Sequence, residues 1–424
     1  MSSPALDPEK SREFATTVVR RLRAAGYETY WAGGCVRDEL LGRTPADFDV
    51  ATAARPDDVR QLFGRGRTLA VGAAFGVITV LGPKPAGQVE VATFRADAAS
   101  TDGRHPAGVT FCSAREDAQR RDFTINGLFL DPLSGDVYDF VGGRADLADG
   151  IVRAIGVPAL RFSEDHLRML RAIRFTAFFN FVLEADTRRA IERMTHLVAA
   201  VSPERVAAEL RAMLSRPGRG RALELLAETG LAAEVLAEFV VGRGTAGPGD
   251  ASPWHAAARI VAAFDEPSLP MALAVLGEGA VANAPALAAT RLRLSNREAK
   301  QAEWLRAGCD ALGSGGAPAT RPWSRVQPWV AHEHAAALAD VLRARAACGR
   351  GDPATAAWFT AQVARPGAEI DPPPLVTGDA LLAAGVPPGP AIGQALARIR
   401  GLQLDGVIAT REEAVAAVLE GRGP

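Results

Sequence analysis

The chain has 424 residues, 48% of them hydrophobic and 23% charged, with a net charge of −1. This is the composition of a folded, water-soluble protein with room for about two to four domains. Its four cysteines (Cys35, Cys112, Cys309 and Cys348) are scattered and form no CxxC pair, which argues against a disulfide framework or a zinc site. The near-neutral charge decides nothing about nucleic acid, because local groups such as Arg120-Arg121 and Arg161, Arg168, Arg171 and Arg174 can act alone.

The N-terminal stretch MSSPALDPEKSREF is polar and has no signal-peptide core. Asp7-Pro8 predicts a helix start, with Asp as the cap and Pro in the first turn, running to about Gly26. Short strands are predicted at Glu28–Ala32, Phe48–Ala51, Thr68–Val71, Val77–Leu81 and Val89–Thr93, with a helix at Pro56–Phe63. Strands in clusters, without strict alternation with helices, predict an α+β head ending near residue 155. From Pro158 helical periodicity takes over, as in Leu167, Leu170, Ile173 and Ala177, and Ser202-Pro203-Glu204 opens another helix. Gly242–Gly249 and Gly313–Pro318 read as loops. The apolar stretch Met271–Ala289 is interrupted by Glu278, Asn283 and Pro285 and reads as packed helices, so no membrane span is expected. Asp371-Pro372-Pro373-Pro374 separates a last small unit. The division expected is 1–155, 156–240, 241–370 and 371–424, in a reducing cytoplasm.

Chemistry concentrates first in Trp31–Thr52, WAGGCVRDELLGRTPADFDVAT. Side chains alternate along a strand, so Asp47 and Asp49 point the same way. Paired carboxylates repel unless a cation lies between them, and hard oxygen ligands suit Mg²⁺. Gly33 and Gly34 leave backbone N–H groups free to approach a phosphate. Together these features point to phosphoryl or nucleotidyl transfer. Arg37 is a candidate for the triphosphate; a salt bridge to Asp38 or Glu39 is disfavoured, since sequence neighbours on a helix rarely face each other. Glu90, in QVEVATFR, has two readings: a further carboxylate for the same metals, or an exposed strand carboxylate. Arg95 is a candidate for a nucleotide or primer phosphate.

The second constellation is Arg120-Arg121-Asp122-Phe123-Thr124-Ile125-Asn126-Gly127. Its arginines supply donors for phosphates, and Asp122 can accept from a ribose 2′-OH. The third is Arg161–Ala172, RFSEDHLRMLRA. Ser163 predicts a helix cap with acidic residues in the first turn. Asp165 and Arg168, three apart, share a helix face. A simple ion pair is one reading. In the other, the carboxylate accepts from an exocyclic amine and the guanidinium donates to the adjacent ring nitrogen. Cytosine and adenine present that edge; guanine and uracil present a carbonyl there.

These three motifs, in this order, resemble the tRNA nucleotidyltransferase and bacterial poly(A) polymerase family, the class II branch of the polymerase-β-like nucleotidyltransferases. The resemblance implies a polymerase-β-like head with a small mixed sheet, followed by all-helical neck, body and tail. It implies two Mg²⁺ on Asp47 and Asp49, beside which Glu90 stays a catalytic candidate from its strand position. Nucleotide contacts would come from Gly33, Gly34, Arg37, Arg120, Arg121, Asp122, Asn126, Glu164, Asp165, Arg168 and Arg171. The activity implied is template-independent addition of CCA to the 3′ end of tRNA from CTP and ATP, releasing pyrophosphate. An A-adding enzyme or a poly(A) polymerase is the nearest alternative. The segment Thr68–Val77, TLAVGAAFGV, lacks the basic run of the poly(A) polymerases and is similar to the tRNA enzymes' VGxxFGxV. Arg95–Arg115, with His105, resembles the flexible loop associated with adding the terminal A. Residues 241–370 resemble a degenerate HD-type phosphohydrolase domain in outline, but Gly277-Glu278 stands where its His-Asp pair is expected. Partners implied are tRNA, CTP and ATP. Oligomeric state is not legible.

Overall fold

A computed structural model describes residues 6–97, 109–240, 252–281, 283–313 and 320–420. The loop reading at Ser100–Pro106 with His105, that at Gly242–Gly249, and most of that at Gly313–Pro318 lie outside the described residues. The chain divides into two compact units, Met1–Ala237 and Glu238–Pro424.

The first unit opens with helix α1 (Pro8–Ala24), where the Asp7 carboxylate accepts from the Glu9 and Lys10 backbone N–H groups. Its buried residues Ala15, Val18, Val19 and Leu22 follow the helical period and form one stripe. Strand β1 (Thr29–Ala32) is buried at every position. It is followed by α2 (Gly34–Leu40), β2 (Asp49–Thr52), α3 (Pro56–Phe63), β3 (Thr68–Leu69), β4 (Val77–Leu81) and β5 (Gln88–Thr93). β6 (Arg95–Asp97) pairs antiparallel with β7 (Val109–Phe111) on either side of residues 98–108. After α4 (Ala114–Gln119), β8 (Leu128–Leu130) and β9 (Val137–Asp139) complete a seven-stranded sheet in the order β3-β4-β5-β2-β1-β8-β9. Every neighbour pair is antiparallel except β2 with β5, where Asp49 stands opposite Glu90. The sheet is small and mixed, as an α+β head requires. β1 to β5 run within a residue or two of the expected ranges, whereas β8 and β9 were not expected from the sequence.

Helices α5 (Gly143–Ala148), α6 (Pro158–Glu164), α7 (Arg168–Phe179), α8 (Ala185–Met194) and α9 (Pro203–Leu214) follow. Ser163 is no cap: it lies inside α6, and its hydroxyl donates to the Ala159 carbonyl at 2.9 Å. The break comes at Asp165, whose backbone is extended. Pro158 starts α6 too early for Ser163 to begin a helix.

In the second unit, Leu269–Leu276 is buried at every residue, packed against Pro253–Ala262 and Asn296–Gly313. The apolar stretch expected as packed helices is Leu269–Leu276 followed by Ala284–Arg291. Among the described residues no helix is long and apolar enough to cross a membrane. Glu278 pairs with Arg345, and His332 stacks on Trp304 at 4.2 Å. The last helices, Gly378–Ala383, Pro390–Leu404 and Arg411–Glu420, share a core that includes Val376, Leu381, Val386 and Ile399.

Candidate active site

The edge where β2 and β5 begin carries the carboxylates. Asp47 precedes the first residue of β2, so strand alternation orients Asp49 and a bend in the chain presents Asp47. Burial, then the charges of Asp47 and Glu90, push the Asp49 carboxyl up to about 6, with only Arg121 working the other way. Behind the strand, the Cys35 thiol donates to the carbonyls of Ala32 at 3.4 Å and Asp49 at 3.8 Å, and burial pushes it up to about 12.

The turn from β1 into α2 passes through Gly33, with φ of 75°. That backbone conformation favours glycine, and a Cβ there would stand 2.9 Å from an Arg121 guanidinium nitrogen, which would have to shift. The expectation of two free N–H groups does not hold at Gly33, which donates to the Leu128 carbonyl at 3.2 Å because the turn continues the ladder to β8. Arg37 also departs from expectation. Its guanidinium does pair with Asp38, at 2.8 Å, because the long side chain folds back along α2. Its other end donates to the Asn126 amide oxygen at 2.6 Å, and the group lies over the rings of Phe175 and Phe179.

One buried carboxylate organises the second motif. Asp117 accepts from Arg120 at 2.7 Å and Arg121 at 3.0 Å, and from the backbone N–H of Arg95 at 3.2 Å. Burial alone would raise it, but Arg121 and Arg120 outweigh burial and hold it below the usual range. Asp122 is buried too. One oxygen accepts from the Phe123 N–H and the Asn126 amide, the other from two nitrogens of Arg171, at 2.8 and 2.6 Å. Burial again opposes, yet Arg171 and these donors bring its carboxyl to about 2.

In the third motif, Asp165 and Arg168 do not pair with each other. The helix break between them rotates Asp165 away, and Arg205 of α9 reaches its carboxylate at 2.7 Å while the Leu167 N–H donates at 3.1 Å. Arg168 is held by Glu164 at 2.6 Å and by the carbonyls of Arg161 and Arg120. Among the described residues its Nε donates to nothing. Arg174 pairs with Glu209 at 2.6 Å.

The structure gathers Gly33, Gly34, Arg37, Asp47, Asp49, Arg120, Arg121, Asp122, Asn126, Asp165, Arg168 and Arg171 around one cleft of about 680 Å³. Glu90 and Glu164 stand outside its lining: Glu90 across the ladder from Asp49, Glu164 behind Arg168. Arg205 lines the cleft, and Asp117 and Glu209 brace it. The sequence reading missed all three. Only the helix start at Ser202-Pro203 hinted at α9.

The cleft has the donors for a polyphosphate and a carboxylate set for a hard cation. Among the described residues no group of three or more His, Cys, Asp or Glu side chains is close enough to hold a metal alone. Mg²⁺ asks for less, since one or two carboxylates with substrate phosphates and water are its usual site. The Asp49 carboxyl is raised by burial and by the charges of Asp47 and Glu90, which Arg121 offsets only in part, so Asp47 and Asp49 fit such an ion.

Residues 29–153 match the poly A polymerase head domain, and residues 180–241 the probable RNA and SrmB-binding site of polymerase A. The CCA-adding enzyme of Geobacillus sp. (strain WCH70) is 43% identical over 218 residues, 51% of this chain and 53% of that protein. That of Lactobacillus gasseri is 41% identical over 222 residues, 52% of this chain and 54% of that protein. The matched part thus spans about half the length of these curated relatives. The Bacillus stearothermophilus CCA-adding enzyme solved in complex with CTP superposes with a TM-score of 0.76 at 29% identity, over 97% of each chain. The Thermotoga maritima CCA-adding enzyme complexed with tRNA shares the fold, with a TM-score of 0.65 at 19% identity over 97% of this chain and 95% of that one.

Proposed function

We propose that the chain is a member of the tRNA nucleotidyltransferase and bacterial poly(A) polymerase family, to which its likenesses point, and that it adds CCA to the 3′ end of tRNA, using CTP and ATP and no nucleic-acid template. The observation that carries this reading is one cleft that unites the Asp47 and Asp49 carboxylates with Asp165 and Arg168. In the reaction, the RNA 3′-oxygen bonds to the α-phosphorus of the nucleotide, the α–β anhydride bond breaks, and pyrophosphate leaves.

Asp47 and Asp49 would hold Mg²⁺, with Glu90 adding negative charge from the neighbouring strand. Magnesium bound there supplies positive charge beside the triphosphate and makes the attacking hydroxyl more acidic. Everything else is positioning by the chain's own groups. Arg120 and Arg121, held by Asp117, face the phosphates with Arg37. Asp122, fixed by Arg171 and Asn126, offers its remaining lone pairs to the ribose. Asp165, steadied by Arg205 and the Leu167 N–H, accepts from the exocyclic amine of cytosine or adenine. Arg168, braced by Glu164, turns its Nε edge to the ring nitrogen. Guanine and uracil would set a carbonyl against the Asp165 carboxylate, leaving two acceptors facing each other. We take head, neck, body and tail as the working division within the two units, and the cytoplasm as the place of action.

Purified protein with Mg²⁺ should extend three tRNAs, ending before CCA, after C and after CC, to complete CCA. Extension of only the CC-ending tRNA would make it an A-adding enzyme. Long A tails on any RNA would make it a poly(A) polymerase, and no extension of any substrate would overturn the reading.

A further inference from the structure

The arginines along α7 change character from the cleft outward. Arg168, Arg171 and Arg174 are each paired with an acid, namely Glu164, Asp122 and Glu209. At the far end of the helix the arginines gather on aromatic rings, and beyond Arg37, which still pairs with Asp38, no acid accompanies them among the described residues. Arg37, in the cleft lining, lies over the Phe179 ring at 4.6 Å. Arg43 lies over the same ring at 5.1 Å and over Phe178 at 5.2 Å. Arg216, from the turn after α9, lies over Phe178 at 5.9 Å. The two rings are 4.9 Å apart. Arg43 and Arg216 are exposed, and among the described residues neither has an acidic partner.

We propose that Arg43 and Arg216, gathered on Phe178, form an outer seat for the pyrophosphate that leaves the cleft. The proposal rests on the nucleotidyl-transfer reading and extends it to product release. Two guanidinium groups around one ring repel each other, and no carboxylate relieves them, so an anion is the missing partner. A guanidinium laid on a ring spends its face there, and its N–H edge remains for phosphate oxygens. The series Arg37, Phe179, Arg43, Phe178, Arg216 is continuous from the cleft lining to solvent. It starts at Arg37, whose guanidinium lies 3.7 Å from where a Cβ on Gly34 would stand, on the side to which the triphosphate is assigned. An anion displaced from acid-paired arginines meets unpaired positive charge next. An RNA backbone is the competing occupant, and continuity with the triphosphate side favours the free polyphosphate.

The test is the double variant Arg43→Gln, Arg216→Gln in the full chain with Mg²⁺. Both side chains are exposed, so folding should be unaffected. Expected are a rise of about tenfold in the inhibition constant of pyrophosphate and an equal slowing of pyrophosphorolysis at low pyrophosphate, one charge-assisted contact being of that order. The KM for CTP and the Kd for tRNA should stay within about twofold. An unchanged inhibition constant overturns the proposal. So does a weaker Kd for tRNA with a log K against log salt slope shallower by about two, because that is the mark of two lost backbone phosphates. Equilibrium dialysis with labelled pyrophosphate needs no turnover. It should saturate at one more pyrophosphate per chain in the wild type than in the variant, and equal saturation overturns the outer seat. If the wild type shows the extra site but transfers no nucleotide, the seat stands and the reading of the cleft fails.

Discussion

Asp49 sets the conditions under which the cleft can work. Its carboxyl titrates near 6 because burial and two neighbouring carboxylates disfavour its charge. A metal ion must displace that proton, so below about pH 6 the Mg²⁺ needed for half-maximal activity should rise about tenfold per pH unit. A Mg²⁺ titration at pH 7 and pH 5 reads this directly, and a flat result would remove Asp49 from the metal site. Asp49→Asn should lower transfer on the order of 10³-fold while leaving the Kd for tRNA nearly unchanged. Arg205→Gln removes the cation that fixes Asp165. The KM for CTP and ATP should then rise about tenfold, with UTP gaining relative to CTP, both read by single-nucleotide incorporation. The motif residues were legible because phosphate and carboxylate chemistry needs particular residue types at close spacing. Arg205 was not: it meets Asp165 from forty positions away, and nothing local marks it. Nothing in the sequence sets Asp117 apart from other acids, and its burial beside Arg120 and Arg121 is what shows that it holds two arginines.

At the level of elements, Asp122 ties α7 to the turn that precedes β8. It lies just before Phe123, and its oxygens accept from Arg171 of α7 and from Asn126 of that turn. Asp122→Asn leaves Arg171 with its bidentate partner lost and should cost about 2–4 kcal/mol, seen as a lower Tm. Its folded value, about 2, lies below the ordinary 3.8. The stability it contributes is therefore present above about pH 4 and lost as pH falls through about 2, so the Tm gap between variant and wild type should close on acidification. Asp49 works in the opposite sense: its raised value favours the folded state at low pH, and that gain is lost as pH rises through about 6. Strand positions were legible from alternation, and α1 from its cap. The break between α6 and α7 was not, because Ser163 and Glu164 make a convincing helix start until Pro158 is seen to have begun one five residues earlier.

Across the whole molecule, two compact units carry separate cores, one built around a sheet and one entirely helical in its described residues. Calorimetry should show more than one transition, with a calorimetric enthalpy above the van't Hoff value; a single two-state transition would mean that the units unfold together. The α+β class and the change to helices after Pro158 were legible from periodicity. The division at Ala237 falls within a few residues of the boundary expected at 240, beside the glycine-rich stretch Gly242–Gly249 of the sequence. Every cationic group of the cleft is a guanidinium. The chain has only three lysines, Lys10, Lys84 and Lys300, and none of them lines it. Reagents that couple to lysine amines could therefore label or tether this protein without touching the cations that line the cleft.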